Sequence, residues 1–313
     1  MTRIGFDVGG TKIAVGAISE DYQIIARRQI PFPTGRPYKE VARVMADLAK
    51  ELTDRIDSIG IGMPGEIDNK KGLVIRAHNV QFYEVPFKDE MKNYFPDIPI
   101  HIENDANAAA FAELKLGSFK NCKTAVLLTI GTGIGGGLIL DGKLFNGGMN
   151  HGVEIGHMRL DSRGPLCSCG NRGCVEALCS GSWIIREGKK AVIEYPKSMI
   201  YTRTQGNIDR VDAKLVIDCA KEEDPVAVDI FNRYIDNLSS AIASITALLD
   251  PEVIALGGGV SRAGEFLLEP LRELVRQKSF FKYPYKIVAA ELGNDAGIIG
   301  SALLGEFKKE ADE

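Results

Sequence analysis

The sequence has no excess of basic residues. Of its 313 residues, 38 are Lys or Arg and 42 are Asp or Glu, so the formal net charge is -4 at pH 7. The chain also has no Lys/Arg-rich block. Because nucleic-acid binding depends on clustered positive charge, we expect no nucleic-acid partner.

The sequence also lacks a long apolar segment. Its longest uncharged stretch, residues 124–140, contains five Gly among seventeen residues and ends at the turn dipeptide Asp141-Gly142. This composition predicts a strand, a loop and a second strand, not a membrane helix. The N-terminal "MTRIGFDVGG" shows no basic segment followed by an apolar one, as a signal peptide would. We therefore expect a cytoplasmic protein with no membrane partner.

Cysteine is scarce, yet three of the six cysteines fall in the segment "CSCGNRGC". In a reducing cytoplasm such a cluster favours a metal site over a disulfide, which remains the alternative. One imidazole and three thiolates form the Cys₃His set of a closed, tetrahedral structural Zn²⁺ site. The predicted ligands are His157, Cys167, Cys169 and Cys174.

The length of the chain suggests two domains, and one pattern of strands occurs twice. "RIGFDVGGTKIAVGAI" predicts two strands around a Gly turn, and "TAVLLTIGTGIGGGLILDGKLF" predicts a similar arrangement with a third strand. Apolar spacing predicts helices between these strands and after them. The predicted helices cover about 41–56, 105–116, 225–249, 264–278 and 296–309. No linker separates the halves, so we expect a domain boundary near residues 105–120.

Three Gly-rich turns, "DVGGTK", "GTGIGGG" and "LGGGV", each follow an apolar strand. Any one of them could simply be a tight turn, but together they favour a clamp of backbone N–H groups around phosphates. Neither a Rossmann fingerprint nor a GxxxxGK[ST] loop is present. The predicted nucleotide-binding residues are Gly9, Gly10, Thr11, Lys12, Gly131, Thr132, Gly133, Gly258 and Gly259.

Two aspartates follow predicted strands. Asp105 precedes an Ala-rich segment and has two interpretations: a general base for a substrate hydroxyl, or a helix N-cap worth about 1 kcal/mol. Asp7 has two as well, since it would either orient Mg²⁺ or its waters or cap a turn. The residues alone leave these alternatives open.

Four segments together resemble the ROK family, and within it the bacterial glucokinases. They are "DVGGTK" from Asp7, "ENDANAAA" from Glu103, "HGVEIGH" from His151 and "CSCGNRGCVE" from Cys167. The resemblance implies a two-lobed α/β fold of the actin/hexokinase-like (ribonuclease H-like) ATPase type with a central cleft. It also implies a small lobe of residues 1–108 plus 298–313 and a large lobe of residues 109–297 that carries the zinc loop.

The resemblance further implies the roles of individual residues. Asp105 would be the catalytic base, and the backbone of Gly65 and the side chains of Asn104, Glu154, His157 and Glu176 would bind the sugar. His157 would serve sugar and zinc through its two ring nitrogens. Family members use Mg²⁺ with ATP and form dimers or tetramers. This chain departs from a common Asn-Leu-x-Trp pattern near the sugar, since it has Asn79-Val80-Gln81-Phe82.

The sequence therefore predicts an ATP-dependent kinase that phosphorylates the 6-hydroxyl of a hexose, with glucose as the first candidate. Mannose or an N-acetylated hexosamine is the alternative substrate, and polyphosphate is an alternative donor. A non-catalytic sugar sensor is the alternative function. Asp105 favours the kinase, as does the expectation that no DNA-binding extension precedes Asp7.

Overall fold

The protein is described from a computed structural model, which covers residues 1–149 and 151–307. The chain combines helices with sheets that contain parallel strand pairs, which confirms the predicted α/β class. The strands are β1 (Arg3–Val8), β2 (Lys12–Ile18), β3 (Ile24–Pro31), β4 (Ser58–Met63), β5 (Glu66–Asp68), β6 (Leu73–Ala77), β7 (Phe82–Val85), β8 (Ile100–Asn104), β9 (Ala125–Ile130), β10 (Ile134–Leu140), β11 (Lys143–Leu144), β12 (Val253–Gly257) and β13 (Lys286–Ala289). The helices are α1 (Tyr38–Leu52), α2 (Phe87–Lys92), α3 (Asp105–Leu116), α4 (Val175–Cys179), α5 (Gly181–Glu194), α6 (Met199–Thr204), α7 (Ala213–Lys221), α8 (Pro225–Leu249), α9 (Glu265–Lys278) and α10 (Ala296–Ala302).

Two five-stranded sheets share one strand arrangement. Their orders are β3-β2-β1-β4-β8 and β11-β10-β9-β12-β13. In the first sheet β1 runs parallel to β4 and antiparallel to β2, and β4 runs parallel to β8. In the second sheet the outer pairs follow the same rule, since β12 and β13 are parallel and β10 and β11 antiparallel. The repeat that the sequence predicts is therefore a repeat of sheet topology.

Burial explains why these segments form strands and helices. β4 is buried along its whole length, as expected for an inner strand covered on both faces. The edge strand β3 has exposed and half-buried residues instead. Helix α1 has an apolar face with Val41, Met45 and Leu48, and this face packs into the hydrophobic core that also contains the apolar side chains of β4.

The predicted helices agree closely with the structure. α3 and α8 have the predicted bounds, and α9 begins one residue later than predicted. α1 ends at Leu52, four residues before the predicted end. α10 ends at Ala302, and the predicted end of this helix, Lys309, lies outside the described residues.

Contacts divide the chain into two compact units. The first unit contains Met1–Ala125, Gly137–Val153 and the described residues from Glu291 onward, and the second contains Val126–Gly136 and Glu154–Ala290. The lobe boundaries implied by the resemblance differ from this division and stay a prediction. Within the first unit α10 packs on β1, β4 and α3. In the described ranges, we find no helix with the length and apolar composition that a membrane span requires.

Candidate active site

The first unit places Asn104 and Asp105 at the junction of β8 and α3. Asn104 is the N-cap residue, and its Oδ1 accepts hydrogen bonds from the N–H groups of Ala106 and Asn107 at 2.9 and 3.1 Å. Its Nδ2 donates to the carbonyl oxygen of Gly65 at 3.0 Å. The interpretation of Asp105 as the N-cap is therefore wrong, because its neighbour caps the helix and Asp105 is the first helical residue.

A buried carboxylate lies behind this junction. Glu103 Oε1 accepts hydrogen bonds from the N–H of Asn104 at 2.9 Å and from Asn107 Nδ2 at 3.2 Å. Glu103 Oε2 accepts from Asn69 Nδ2 at 2.5 Å and from Asn146 Nδ2 at 2.9 Å. Four N–H donors compensate the burial of this carboxylate and fix the end of β8. Sequence reasoning gave Glu103 no role, and the signal it left unused was an acidic residue inside an otherwise buried strand.

Asp7 lies near the C-terminal end of β1 and is half-buried. Desolvation by burial raises the pKa of its carboxyl group, and the positive charge of Lys12 opposes that shift. The approach of the carboxylate explains Gly297 in α10, since a Cβ there would lie 2.7 Å from Asp7 Cγ. The following turn is closed by a hydrogen bond from the N–H of Gly9 to the carbonyl oxygen of Lys12, at 2.8 Å.

Two further residues of the predicted site also lie in the first unit. Gly10 approaches Asn79 closely, since a Cβ on Gly10 would lie 3.1 Å from Asn79 Cβ. Asn79, which matches the first residue of the family pattern, therefore packs against the turn that follows β1. Thr11 lies in the same turn and is exposed.

The second unit brings the four predicted metal ligands together. One ligand atom from each of His157, Cys167, Cys169 and Cys174 lies within 4.8 Å of the others. The Sγ atoms of Cys169 and Cys174 are 3.7 Å apart, and Cys167 Sγ lies 3.6 Å from His157 Nδ1. A tetrahedral Zn²⁺ ion with Zn–S bonds of about 2.3 Å would separate its ligands by about 3.8 Å, so the donor set and spacing fit zinc.

The cysteines of this cluster are free, which is contrary to the disulfide alternative. A disulfide would require a sulfur–sulfur distance of about 2.05 Å. Burial and the neighbouring thiols raise the pKa of Cys174 to about 12. Such a group becomes a thiolate at neutral pH when a cation stabilises the negative charge.

Glu176 joins the metal cluster to a Gly-rich turn. Its Oε1 accepts a hydrogen bond from Ser168 Oγ at 2.8 Å, and its Oε2 accepts from the N–H of Ile134 at 3.0 Å. A Cβ on Gly133 would overlap Glu176 Oε2. Position 133 must therefore be glycine so that the Glu176 carboxylate has room beside the turn, although the sequence analysis predicted that Gly133 belongs to a phosphate clamp.

Glu154 is the residue before the short 3₁₀ turn Ile155–His157. It is exposed, and its carbonyl oxygen accepts a hydrogen bond from the N–H of His157 at 3.0 Å. The backbone thus links this predicted sugar ligand directly to a predicted metal ligand.

A cavity of about 440 Å³ opens beside two of the Gly-rich turns. Gly131 and Thr132 line it from one turn and Gly259 from another. Gly258 does not line it, and has φ of +84° with a packing reason to be glycine, since a Cβ would overlap the carbonyl oxygen of Ile130. The glycines at positions 133, 258 and 259 thus have different roles, although they look alike in the sequence: Gly133 makes room for a carboxylate, Gly258 is required by packing, and Gly259 lines the cavity.

Most of the cavity wall comes from residues that sequence reasoning missed. Ile185 of α5, Ile217 of α7 and Val260 form apolar parts of the wall. Charged residues of both signs also contribute, and they are Lys214, Lys221, Arg262, Asp212 and Asp218. Both lysines form ion pairs with Asp218. An apolar slot beside open backbone suits a flat ring joined to phosphates. The amphipathic pattern of α5 and α7 was the available signal, but no motif marks it.

Comparisons with known proteins agree with these observations. A sequence model of the ROK family matches residues 3–307. The chain is 38% identical over 306 residues to a glucokinase of Thermotoga maritima, covering 96% of this chain and 95% of that protein. It is 31% identical over 310 residues to an N-acetylmannosamine kinase of Escherichia fergusonii, covering 99% of this chain and 100% of that protein.

The structural comparison gives the same result. The crystal structure of a ROK family glucokinase from Streptomyces griseus, in complex with glucose and AMPPNP, matches with a TM-score of 0.87 and 33% identity. The match covers 97% of this chain and 99% of that one. The predicted actin/hexokinase-like fold is therefore confirmed, and the chain belongs to the ROK family.

Proposed function

We propose that the protein transfers the γ-phosphoryl group of ATP to the 6-hydroxyl of glucose. The relatives named glucokinase and the Streptomyces griseus complex with glucose and AMPPNP support this substrate pair. Phosphoryl transfer requires that the acceptor hydroxyl is oriented, that its proton is accepted, and that phosphate charge is neutralised.

The observation that carries the proposal is the position of Asp105. It begins a helix whose N-cap residue is Asn104, and its own Oδ1 accepts a hydrogen bond from the N–H of Ala106 at 2.8 Å, which holds the carboxylate at the first turn. In the proposed mechanism Asp105 accepts the proton of the sugar hydroxyl as the phosphoryl group is transferred. Glu103, with its four N–H donors, holds the preceding backbone rigid and so limits the directions in which Asp105 can point.

The cavity of the second unit supports a nucleotide donor over polyphosphate. Polyphosphate has no ring to fill the apolar wall formed by Ile185, Ile217 and Val260. A purine would bury apolar surface there, while the backbone N–H group of Thr132 would bind a phosphate oxygen. The N–H of Gly131 donates to the carbonyl oxygen of Gly133 at 3.0 Å and so holds the turn in shape. We propose that the nucleotide binds in this cavity.

We further propose that the sugar contacts Gly65 and Asn104 of the first unit, and the sugar contacts of Glu154, His157 and Glu176 stay predictions from the family resemblance. Asn104 retains a second amide hydrogen for a sugar oxygen, because one of its two donates to Gly65. His157 Nδ1 faces Cys167 Sγ, so the geometry supports metal binding through Nδ1 and sugar binding through Nε2.

Two metal ions belong to this proposal. His157, Cys167, Cys169 and Cys174 would hold a structural Zn²⁺, whose role is to fix the loop between the first and last ligand. Mg²⁺ bound with ATP would neutralise phosphate charge. Asp7 is the residue of the first unit that we propose orients Mg²⁺ or its waters, since its carboxylate is half-buried near the end of a central strand.

The identity of the sugar is tested by measuring ADP release with purified protein and a panel of hexoses. We expect the highest kcat/KM with glucose and ATP. N-Acetylmannosamine is the second candidate, because a kinase named for this sugar is 31% identical to the chain. Mannose belongs in the same panel. Sugar binding without ADP release from any hexose would contradict a kinase and favour a sugar sensor.

Light scattering will determine whether the protein forms the dimer or tetramer that we propose from the family.

A further inference from the structure

The Gly131–Gly133 turn is held at two places by one continuous segment. The N–H of Gly181 donates to the carbonyl oxygen of Gly131 at 2.8 Å, and Ser182 Oγ donates to that of Thr132 at 2.6 Å. The second place is the N–H of Ile134, which donates to Glu176 Oε2 at 3.0 Å. This turn lines the cavity, so its position determines where the phosphate-binding N–H groups lie.

The other oxygen of the Glu176 carboxylate contacts the cysteine loop. Ser168, between two predicted metal ligands, donates to Glu176 Oε1 at 2.8 Å. Cys167 Sγ lies 3.8 Å from the same oxygen. Both carboxylate oxygens are thus engaged, one by the loop and one by the turn, and the carboxylate has a defined orientation.

Steric fit makes this link tight. A Cβ at Gly133 would overlap Glu176 Oε2, so the turn packs directly against the carboxylate. A shift of the carboxylate therefore moves the turn or removes the hydrogen bond at Ile134. Interiors packed this closely transmit small displacements between neighbouring groups.

We propose that Ser168 and Glu176 are positioning residues that couple the metal loop to the nucleotide-binding turn. Occupancy of the Cys₃His cluster fixes Ser168, Ser168 fixes the Glu176 carboxylate, and the carboxylate fixes the N–H of Ile134 and the turn before it. Metal binding consequently raises the affinity for nucleotide. The inference rests on the proposed function, because it takes the cavity as the nucleotide site.

The test uses Ser168→Ala, which removes the hydroxyl and keeps all four metal ligands. ADP affinity is measured by calorimetry without sugar, alongside zinc content and steady-state kinetics. We expect full zinc content, an ADP Kd and an ATP KM raised about fivefold, and a kcat within about twofold of wild type. Ser168→Thr keeps the hydroxyl at an exposed position and should restore the Kd.

Two further variants separate positioning from general damage to the loop. Gly133→Ala should weaken ADP binding more than Ser168→Ala does, because its methyl group displaces the carboxylate itself. Arg163→Ala is the matched control, since this exposed residue lies in the same loop and we expect wild-type affinity.

A thermodynamic cycle tests the coupling directly. Chelation of zinc should raise the ADP Kd of wild type about tenfold. In Ser168→Ala protein, chelation should raise the ADP Kd by less than about fivefold. Addition of Zn²⁺ alone should restore the wild-type value. Equal effects of chelation on both proteins, or an ADP Kd unchanged by both Ser168→Ala and chelation, would overturn the inference. Failure of the proposed function is distinguishable, because wild-type protein would then bind no ADP at all.

Discussion

Asn104 caps the helix that begins at Asp105. The cap uses Asn104 Oδ1, which accepts two backbone hydrogen bonds at 2.9 and 3.1 Å. The N-cap and the proposed general base are thus different, adjacent side chains, although Asp105 Oδ1 also accepts a hydrogen bond from the N–H of Ala106 at 2.8 Å. Substitutions at the two positions should therefore have separable effects on stability and turnover.

Asp105→Asn should lower kcat at least a hundredfold, which lies within the usual contribution of a general base. The substitution keeps the size of the side chain, and the cap is not altered, so the dissociation constants for glucose and ATP should stay within about threefold. Coupled kinetics and calorimetry measure both. A variant that keeps more than about a tenth of wild-type turnover would contradict the general-base role.

Asn104→Ala provides the comparison. It removes the cap and the contact with Gly65, so the free energy of unfolding should fall by about 1 kcal/mol or more. Denaturant unfolding measures this change. Asp105→Asn should leave the free energy of unfolding within about 0.5 kcal/mol of wild type.

The neighbours Gly258 and Gly259 make a matched pair. Gly259 has open space around its missing Cβ and lines the cavity. Gly259→Val should therefore raise the KM for ATP about tenfold and leave the KM for glucose within about twofold, because the new side chain occupies nucleotide space. Equal changes in both KM values, or none, would contradict a nucleotide site in this cavity.

Gly258→Val should act on stability instead. Its φ is +84° and its Cβ would overlap the carbonyl oxygen of Ile130. We expect a loss of about 1–3 kcal/mol in the free energy of unfolding. A thermal melt without ligands separates this effect from the binding effect at Gly259.

Purified protein should contain one Zn²⁺ per chain. Cys169→Ser or chelation should remove the ion and weaken glucose binding at least tenfold before global structure is lost. The reason is that the cysteine loop contains metal ligands that group with His157, and it contacts Glu176 through Ser168. Metal analysis, calorimetry and circular dichroism measure these effects. Cys122→Ser, which lies outside the cluster, should keep both zinc and glucose affinity. Protein without zinc, or unchanged glucose affinity in Cys169→Ser, would refute this prediction.

Asp7→Asn should stabilise the fold at neutral pH and lower activity at least tenfold if Asp7 orients Mg²⁺. Burial raises the pKa of Asp7 above the ordinary aspartate value of 3.8, so folded protein binds more protons than unfolded protein between the two pKa values. Stability of wild type therefore falls as pH rises through this window.

The asparagine variant has no such penalty. Its Tm should exceed that of wild type at pH 7, and the difference should shrink as pH falls through the raised pKa of Asp7. Thermal melts of both proteins between about pH 4 and pH 8 measure the difference. A lower Tm of the variant at pH 7, or a difference independent of pH, would contradict the desolvation of Asp7.

Local sequence patterns predicted the elements whose signals are local. α3 is Ala-rich, and α8 begins with Asp224 as N-cap and Pro225 at its first position. Such capping and apolar spacing involve residues within a few positions of one another. The Cys₃His cluster was predictable for the same reason, because three of its ligands lie within eight residues.

Roles that depend on contacts distant in sequence were not predictable. Gly133 and Glu176 are far apart in the chain, and only the fold shows that one makes room for the other. The hydrogen bonds of Glu103 likewise join it to Asn69 and Asn146. The apolar wall of the cavity comes from helices that the sequence analysis did not predict, since no motif marks Ile185 or Ile217.

The proposed kinase activity is tested most directly by the rate of ADP release from purified, zinc-loaded protein supplied with Mg-ATP and glucose. We predict turnover that requires both substrates, yields glucose 6-phosphate in equal amount to ADP, and falls at least a hundredfold in Asp105→Asn. An absence of glucose-dependent ADP release from folded wild-type protein would contradict the proposed kinase activity, and equal rates for wild type and Asp105→Asn would contradict the role of Asp105.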